Sequence, residues 1–475
     1  MVFSSVIFLA YFLPVFLAVY FLTPKIAKNY VLLVGSIFFY AWGAPRFIFA
    51  ILATTTVDFY FVKIMYSAST EKRRKLFLLL SLCLNVGMLF YFKYCNFFID
   101  NFNGLLHSFG VKEISWTKVI LPIGISFYTF ESLTYVIDVY RKIHKPLNNF
   151  LQYQLYIILF PKLIAGPIVR YHQIADQIAD RSANDTIDNK LTGFFRFVLG
   201  LSKKVLIANT MAVKADEIFA LQTNEVTTVM AWIGMLAYTF QIYFDFSGYS
   251  DMAIGLGKML GFKFPENFDN PYTSRSITEF WRRWHMTLGS WMKNYLYIPL
   301  GGNKVESKKR LYFNLWLVFI LSGFWHGAAW TFIIWGIYHG MFLVLERAGF
   351  LKVLNAIGKV PSTILTFIIV GIGWIFFRAD TTAQAMAFTG KLFSFNIPST
   401  SYYLDNEFKF YFLLAVLFSF FTCFKIGQKI QNKIYFSEYS IFGYSVSSVV
   451  GCCLFTLALA SITSSGFNPF IYFRF

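Results

Sequence analysis

Hydrophobic residues in this chain come in long unbroken runs, not in the alternation of a half-buried strand or the spacing of a one-faced helix. The runs fall near 4–22, 29–42, 47–66, 76–99, 119–140, 151–169, 227–246, 311–328, 330–346, 362–378, 407–424 and 441–463. A helix that is apolar on every side belongs in a large core or a membrane, and a membrane span needs about 20 residues. The pattern predicts an all-α polytopic membrane protein of about 11–12 transmembrane or re-entrant helices. Residues 4–22 carry no basic leading segment and no small-residue cleavage site, so they read as a first span, not a removed leader.

Several runs are too short or too broken to cross straight. The 29–42 run and the region 247–300 are expected to be kinked, re-entrant or interfacial. Gly248, Gly255, Gly257 and Gly261, followed by Pro265 and Pro271, make 247–272 a poor straight helix. Such backbone is tolerated at membrane depth only where protein covers it or it lines a cavity. The more polar segment 170–225 includes Phe194–Lys204, whose mixed aromatic and basic residues suit a membrane surface. Polar stretches reach only roughly 20 to 30 residues, too short for a second hydrophobic core. We therefore expect one membrane domain over 1–475, with a catalytic core segment at 247–346 and an aromatic tail at 465–475. The absence of an evident internal repeat argues against a repeat-built transporter.

Composition agrees: 57% of residues are hydrophobic and 14% charged, against about 25% charged in soluble domains. The formal charge of +18 does not imply nucleic acid, because the cations cluster in short loops between apolar runs. Lys72–Lys75, Arg141–Lys145, Lys304–Arg310 and Lys425–Lys433 follow the positive-inside pattern. With these loops cytoplasmic, Met1 and the C-terminus fall outside, and the parity between 165 and 300 is left open. The five cysteines lie in apolar runs without C-x-x-C spacing, so neither a disulfide framework nor a metal site is expected.

Ionisable residues inside such a chain need a reason. His326 stands between Trp325 and Gly327, and its imidazole can act as a general base on a hydroxyl or simply donate to a backbone carbonyl. His285 follows Trp281 and Arg282 by four and three residues, which on a helix puts all three on one face. Arg282 and Arg283 either bind a phosphate or carboxylate or snorkel at the boundary. His339 reads as packing or as a supporting partner. Asp58, Glu131, Asp138 and Asp245 are either proton relays or partners of a neighbouring donor, and Asp245 is the one expected to face a cavity. No nucleophile elbow, H-E-x-x-H pair or P-loop is present, which argues against a serine hydrolase, zincin or ATPase.

Three blocks, Trp281-Arg-Arg-Trp-His285, Asn294-Tyr-Leu-Tyr-Ile-Pro-Leu-Gly-Gly302 and Ser322-Gly-Phe-Trp-His-Gly327, resemble the membrane-bound O-acyltransferase (MBOAT) superfamily, in its bacterial alginate and peptidoglycan O-acetyltransferase branch. Leu121–Glu131, Phe160–Pro167, Phe244–Asp251 and Pro469–Phe475 extend the resemblance over nearly the whole chain. It implies helices around a central tunnel in the bacterial inner (cytoplasmic) membrane. It also implies His326 as the catalytic histidine and His285 as its companion. Acetyl-CoA would be the cytoplasmic acyl donor, with no bound cofactor. A periplasmic or membrane-anchored serine esterase-like (SGNH) transferase would be the partner, and a cell-envelope glycan the acceptor.

Trp281, Arg282, Trp325 and Asp245 are the expected substrate-binding residues. Tyr472, between Phe470 and Phe473, is either an acyl carrier that His326 deprotonates or an interfacial anchor. D-alanyl transfer to teichoic acid, and a transporter or flippase for a polyprenyl-linked sugar, are the alternative functions.

Overall fold

In a computed structural model, residues 1–395, 402–466 and 471 are described. Among them every regular element is helical and there is no strand. Among the described residues six helices are long and apolar enough to cross a membrane: Lys25–Gly43, Phe47–Ser67, Glu71–Ser108, Lys359–Arg378, Asn406–Cys423 and Ile441–Ser464. Ile7–Leu22 is a shorter apolar helix. The chain is a multi-pass membrane protein, and its contacts divide it into two compact units. One comprises Met1–Lys190 with Gly257–Phe264, and the other Leu191–Leu256 with Pro265–Phe475.

In the first unit, 29–42 is not kinked. Lys28–Gly43 is a continuous helix, lengthened at its start by the turn Lys25–Ala27. The 151–169 run does break, into Phe150–Ile158 and Phe160–Leu163, because Pro161 lacks the N–H that a continuous helix would need. Gly124 caps Ile125–Tyr140 at φ +79°. A Cβ there would lie 2.7 Å from the carbonyl oxygen of Leu163, so only glycine fits.

The acidic residues in these apolar runs all have partners. Asp58 accepts from the Ser81 hydroxyl and, at 2.9 Å, from Tyr153. Glu131 pairs with Lys162, both essentially inaccessible to solvent. Asp138 bonds Nδ1 of His172 at 2.8 Å. These contacts match the partner reading of the three carboxylates. A buried ion pair leaves a stranded charge when one member is removed.

The expectation for 247–272 is corrected as far as Met259 and holds beyond it. The helix Thr228–Met259 runs unbroken through Gly248 and Gly255, and the chain then leaves the helix, with Gly261 at φ +84° and Asn270 at φ +43°. The glycines serve close approach to the helix Ile187–Ser202. A Cβ on Gly248 would meet the Gly200 carbonyl oxygen at 2.7 Å, and one on Gly255 the Gly193 carbonyl oxygen at 2.5 Å. Small residues let membrane helices pack backbone to backbone, and that gain outweighs glycine's poor helix propensity. The same device joins Lys308–His326 to Trp330–Leu345. A Cβ on Gly323 would lie 2.2 Å from the Phe332 carbonyl oxygen, and one on Gly336 would lie 2.4 Å from that of Phe319.

We expect Lys162→Met to destabilise the protein by about 3–5 kcal/mol, because it strands the Glu131 carboxylate. The double variant Lys162→Met/Glu131→Leu should recover most of that loss. Thermal unfolding of the detergent-purified protein checks both.

Candidate active site

The second unit brings His285, His326 and His339 into one aromatic region. After Pro265 the chain is extended, then forms two short helices, Ile277–Arg283 and Met286–Trp291. His285 joins them at φ 44°, ψ 53°, a left-handed conformation uncommon for a residue with a side chain. That turn is held from Asn267. The main-chain carbonyl of Asn267 accepts the N–H of Met286 at 2.9 Å. Its side-chain Oδ1 accepts from the Thr287 hydroxyl at 2.8 Å and the Thr287 N–H at 3.4 Å.

These contacts fix the protonation of His285. A backbone N–H only donates, so the Asn267 atom facing Thr287 is the oxygen, and the amide nitrogen then donates to Ser250 at 3.0 Å. Nδ1 of His285, 3.0 Å from the same oxygen, must carry its proton. In the neutral ring Nε2 therefore holds the lone pair, and it has no hydrogen-bond partner among the described residues. The ring is 2% exposed and lies edge-on to Phe246, with centroids 4.6 Å apart.

His326 ends the Lys308–His326 helix and is 6% exposed. Its ring is enclosed by Trp325 at 4.9 Å, Phe377 at 5.2 Å and Trp335 at 5.3 Å. The Trp325 ring also lies 6.2 Å from His285, so one indole borders both imidazoles.

His339 is fully buried, with Trp281 at 4.9 Å, Trp335 at 5.1 Å and Trp374 at 6.3 Å. Neither of its ring nitrogens, nor the indole N–H of Trp281 or Trp335, has a hydrogen-bond partner among the described residues. Gly373 makes room for the ring, since a Cβ there would lie 2.5 Å from its Nε2.

The remaining predicted residues are distributed differently. The helix that carries Trp281 ends at Arg283, so Trp281, Arg282 and His285 do not share a helical face. Trp281 packs on His339, Arg282 is exposed, and His285 turns inward. Arg283 pairs with Glu279 at 2.8 Å. Asp245 is buried against Lys204 Nζ at 2.8 Å and accepts the Ile471 N–H at 2.9 Å. Tyr472 lies outside the described residues.

Sequence reasoning passed over Asn267, Trp335 and Trp374. The available signal for Asn267 was its place in Pro265-Glu-Asn-Phe-Asp-Asn270, a non-helical polar stretch between apolar segments. The two tryptophans read only as span residues.

Residues 76–378 match MBOAT, the membrane-bound O-acyltransferase family. The chain is 47% identical over 397 residues to "Probable alginate O-acetylase AlgI" of Pseudomonas aeruginosa, covering 83% of this chain and 75% of the relative. It is 37% identical over 420 residues to a peptidoglycan O-acetyltransferase of Helicobacter pylori, covering 81% and 78%. It is 31% identical over 268 residues to a teichoic acid D-alanyltransferase of Streptococcus thermophilus, covering 53% and 64%. The matched residues include all three buried histidines and the aromatic region around them, and the chain belongs to the membrane-bound O-acyltransferase family.

Proposed function

We propose that this protein moves acetyl groups across the bacterial inner membrane for O-acetylation of a cell-envelope glycan, with acetyl-CoA as the cytoplasmic donor and an extracytoplasmic serine esterase-like transferase as partner. The observation that carries the reading is the pair of buried imidazoles bordered by Trp325, in a chain whose extensive matches are to O-acetylating enzymes. The D-alanyl reading has less support, since that match covers only 53% of the chain.

The chemistry needs few parts. An acceptor hydroxyl gives its proton to the His326 imidazole as its oxygen attacks the thioester carbonyl. The C–O bond forms, the C–S bond breaks, and the proton passes from the imidazolium to the departing thiolate. Neutral His285 has committed its one N–H to Asn267, so it serves as an acceptor through Nε2 and not as a donor to the oxyanion. The indole N–H of Trp335, which has no hydrogen-bond partner among the described residues and whose ring packs on His326, is a donor suited to that charge. Arg282, on an exposed face, suits the phosphates of the donor.

Tyr472 is the proposed acyl carrier on the way to the partner. Supporting this, the preceding residue Ile471 is buried and bonded to Asp245, which is itself paired with Lys204.

His326→Ala should abolish acetyl transfer from acetyl-CoA by the purified protein at unchanged thermal stability; full activity would refute its assignment as base. Asn267→Leu, which frees the His285 tautomer, should lower transfer by about 10²-fold. Asn267→Asp keeps the acceptor oxygen and should retain more activity than Asn267→Leu in the same assay. Tyr472→Phe should abolish glycan acetylation in cells at normal protein level, whereas full acetylation would exclude the carrier role.

A further inference from the structure

The second unit contains a cavity of about 820 Å³ beside the histidine site. Its lining comes from the helices Ile187–Ser202, Thr228–Met259, Asn406–Phe420, Lys425–Tyr435 and Ile441–Ser465, and is predominantly apolar. It reaches Asn267, the residue that holds His285. Several apolar residues that line it are also strongly exposed, among them Leu417, Phe424 and Ile426. Leu417 belongs to a helix apolar enough to cross the membrane. In a bilayer these side chains meet lipid.

Charge is divided sharply at this cavity. The ionised groups in its lining neutralise one another: Arg196 bonds Asp251 at 2.9 Å and Glu266 at 2.7 Å, and Lys203 bonds Asp251 at 2.6 Å. Two cations face two carboxylates, leaving no net charge for a phosphate inside.

Free positive charge lies next to the apolar lining. The helix Lys425–Tyr435 lines the cavity with Ile426, Ile430 and Ile434, and each isoleucine follows an exposed lysine: Lys425, Lys429 and Lys433. None of the three lysines has an acidic partner among the described residues. Residues four apart stack on one face, so the helix carries a lysine row beside an isoleucine row. This is the pattern of a helix lying in the membrane interface.

We propose that the cavity is a binding site for one anionic membrane phospholipid, with an acyl chain in the apolar cavity and its phosphate at the lysine row. A CoA thioester fits less well, because its pantetheine amides would find few partners in an apolar lining. The inference does not depend on the acyl-transfer chemistry. Through Asn267, an occupied cavity would border the residue that sets the His285 tautomer.

The test is lipid retention by the full-length protein, purified and delipidated in detergent, then offered phosphatidylglycerol or phosphatidylcholine. Native mass spectrometry should show one phosphatidylglycerol retained per chain. Lys425→Gln/Lys429→Gln/Lys433→Gln alters only exposed residues and should remove the preference for phosphatidylglycerol, since each lysine near an anionic headgroup contributes a factor of about five. Leu414→Trp, which adds bulk to the lining, should reduce retention of both lipids. Retention unaffected by either variant, no retained lipid, or displacement of the lipid by CoA would overturn the proposal.

Discussion

One amide oxygen organises the centre of this protein. Oδ1 of Asn267 takes the Thr287 hydroxyl and N–H and the Nδ1–H of His285, while the main-chain carbonyl of the same residue takes the N–H of Met286. Together these bonds hold His285 in a left-handed turn that a side-chain-bearing residue seldom adopts. They also leave the ring's unprotonated nitrogen as its free end. Strain, tautomer and direction of the imidazole thus have one source. Asn267 also lines the large cavity, so the residue that tethers His285 through Nδ1 borders that cavity.

Depth in the membrane explains how the rest is arranged. Charges there are costly, and this fold gives them partners: Glu131 with Lys162, Asp138 with His172, Asp245 with Lys204, Arg196 with two carboxylates. Among the described residues, several buried polar atoms without a hydrogen-bond partner lie together at the histidines. The ring nitrogens of His339, Nε2 of His285 and the indole N–H groups of Trp281 and Trp335 all belong to the aromatic region around the histidines. A cluster of such atoms on two histidines and two indoles is suited to receiving a polar reactant.

The helical, membrane-spanning character was legible because runs such as 47–66 and 76–99 are long and apolar, and they fold as Phe47–Ser67 and within Glu71–Ser108. Helix continuity was less legible. The glycines at 248 and 255 look like breaks, yet they are contact points where another helix comes within a methyl group's width, a fact that depends on the partner and not on the local sequence. His326 and His285 stood out because imidazoles are rare among apolar runs. Their tether did not, since Asn267 looks like an ordinary loop residue until Thr287 is folded against it. The shared face expected for Trp281, Arg282 and His285 failed for a related reason. It assumed a helix through Trp284, and the main chain turns there instead.

Under the proposed function the thioester is cleaved within the protein and only the acetyl group passes through. A sided measurement tests this most directly. Purified protein is reconstituted in vesicles, and acetyl-CoA labelled on both the acetyl and the CoA portions is supplied on one side. Free CoA thiol is expected on the donor side and acetyl label on an acceptor at the opposite side, with CoA label confined to the side where it was added. Intact donor crossing without thiol release would contradict this and identify a transporter.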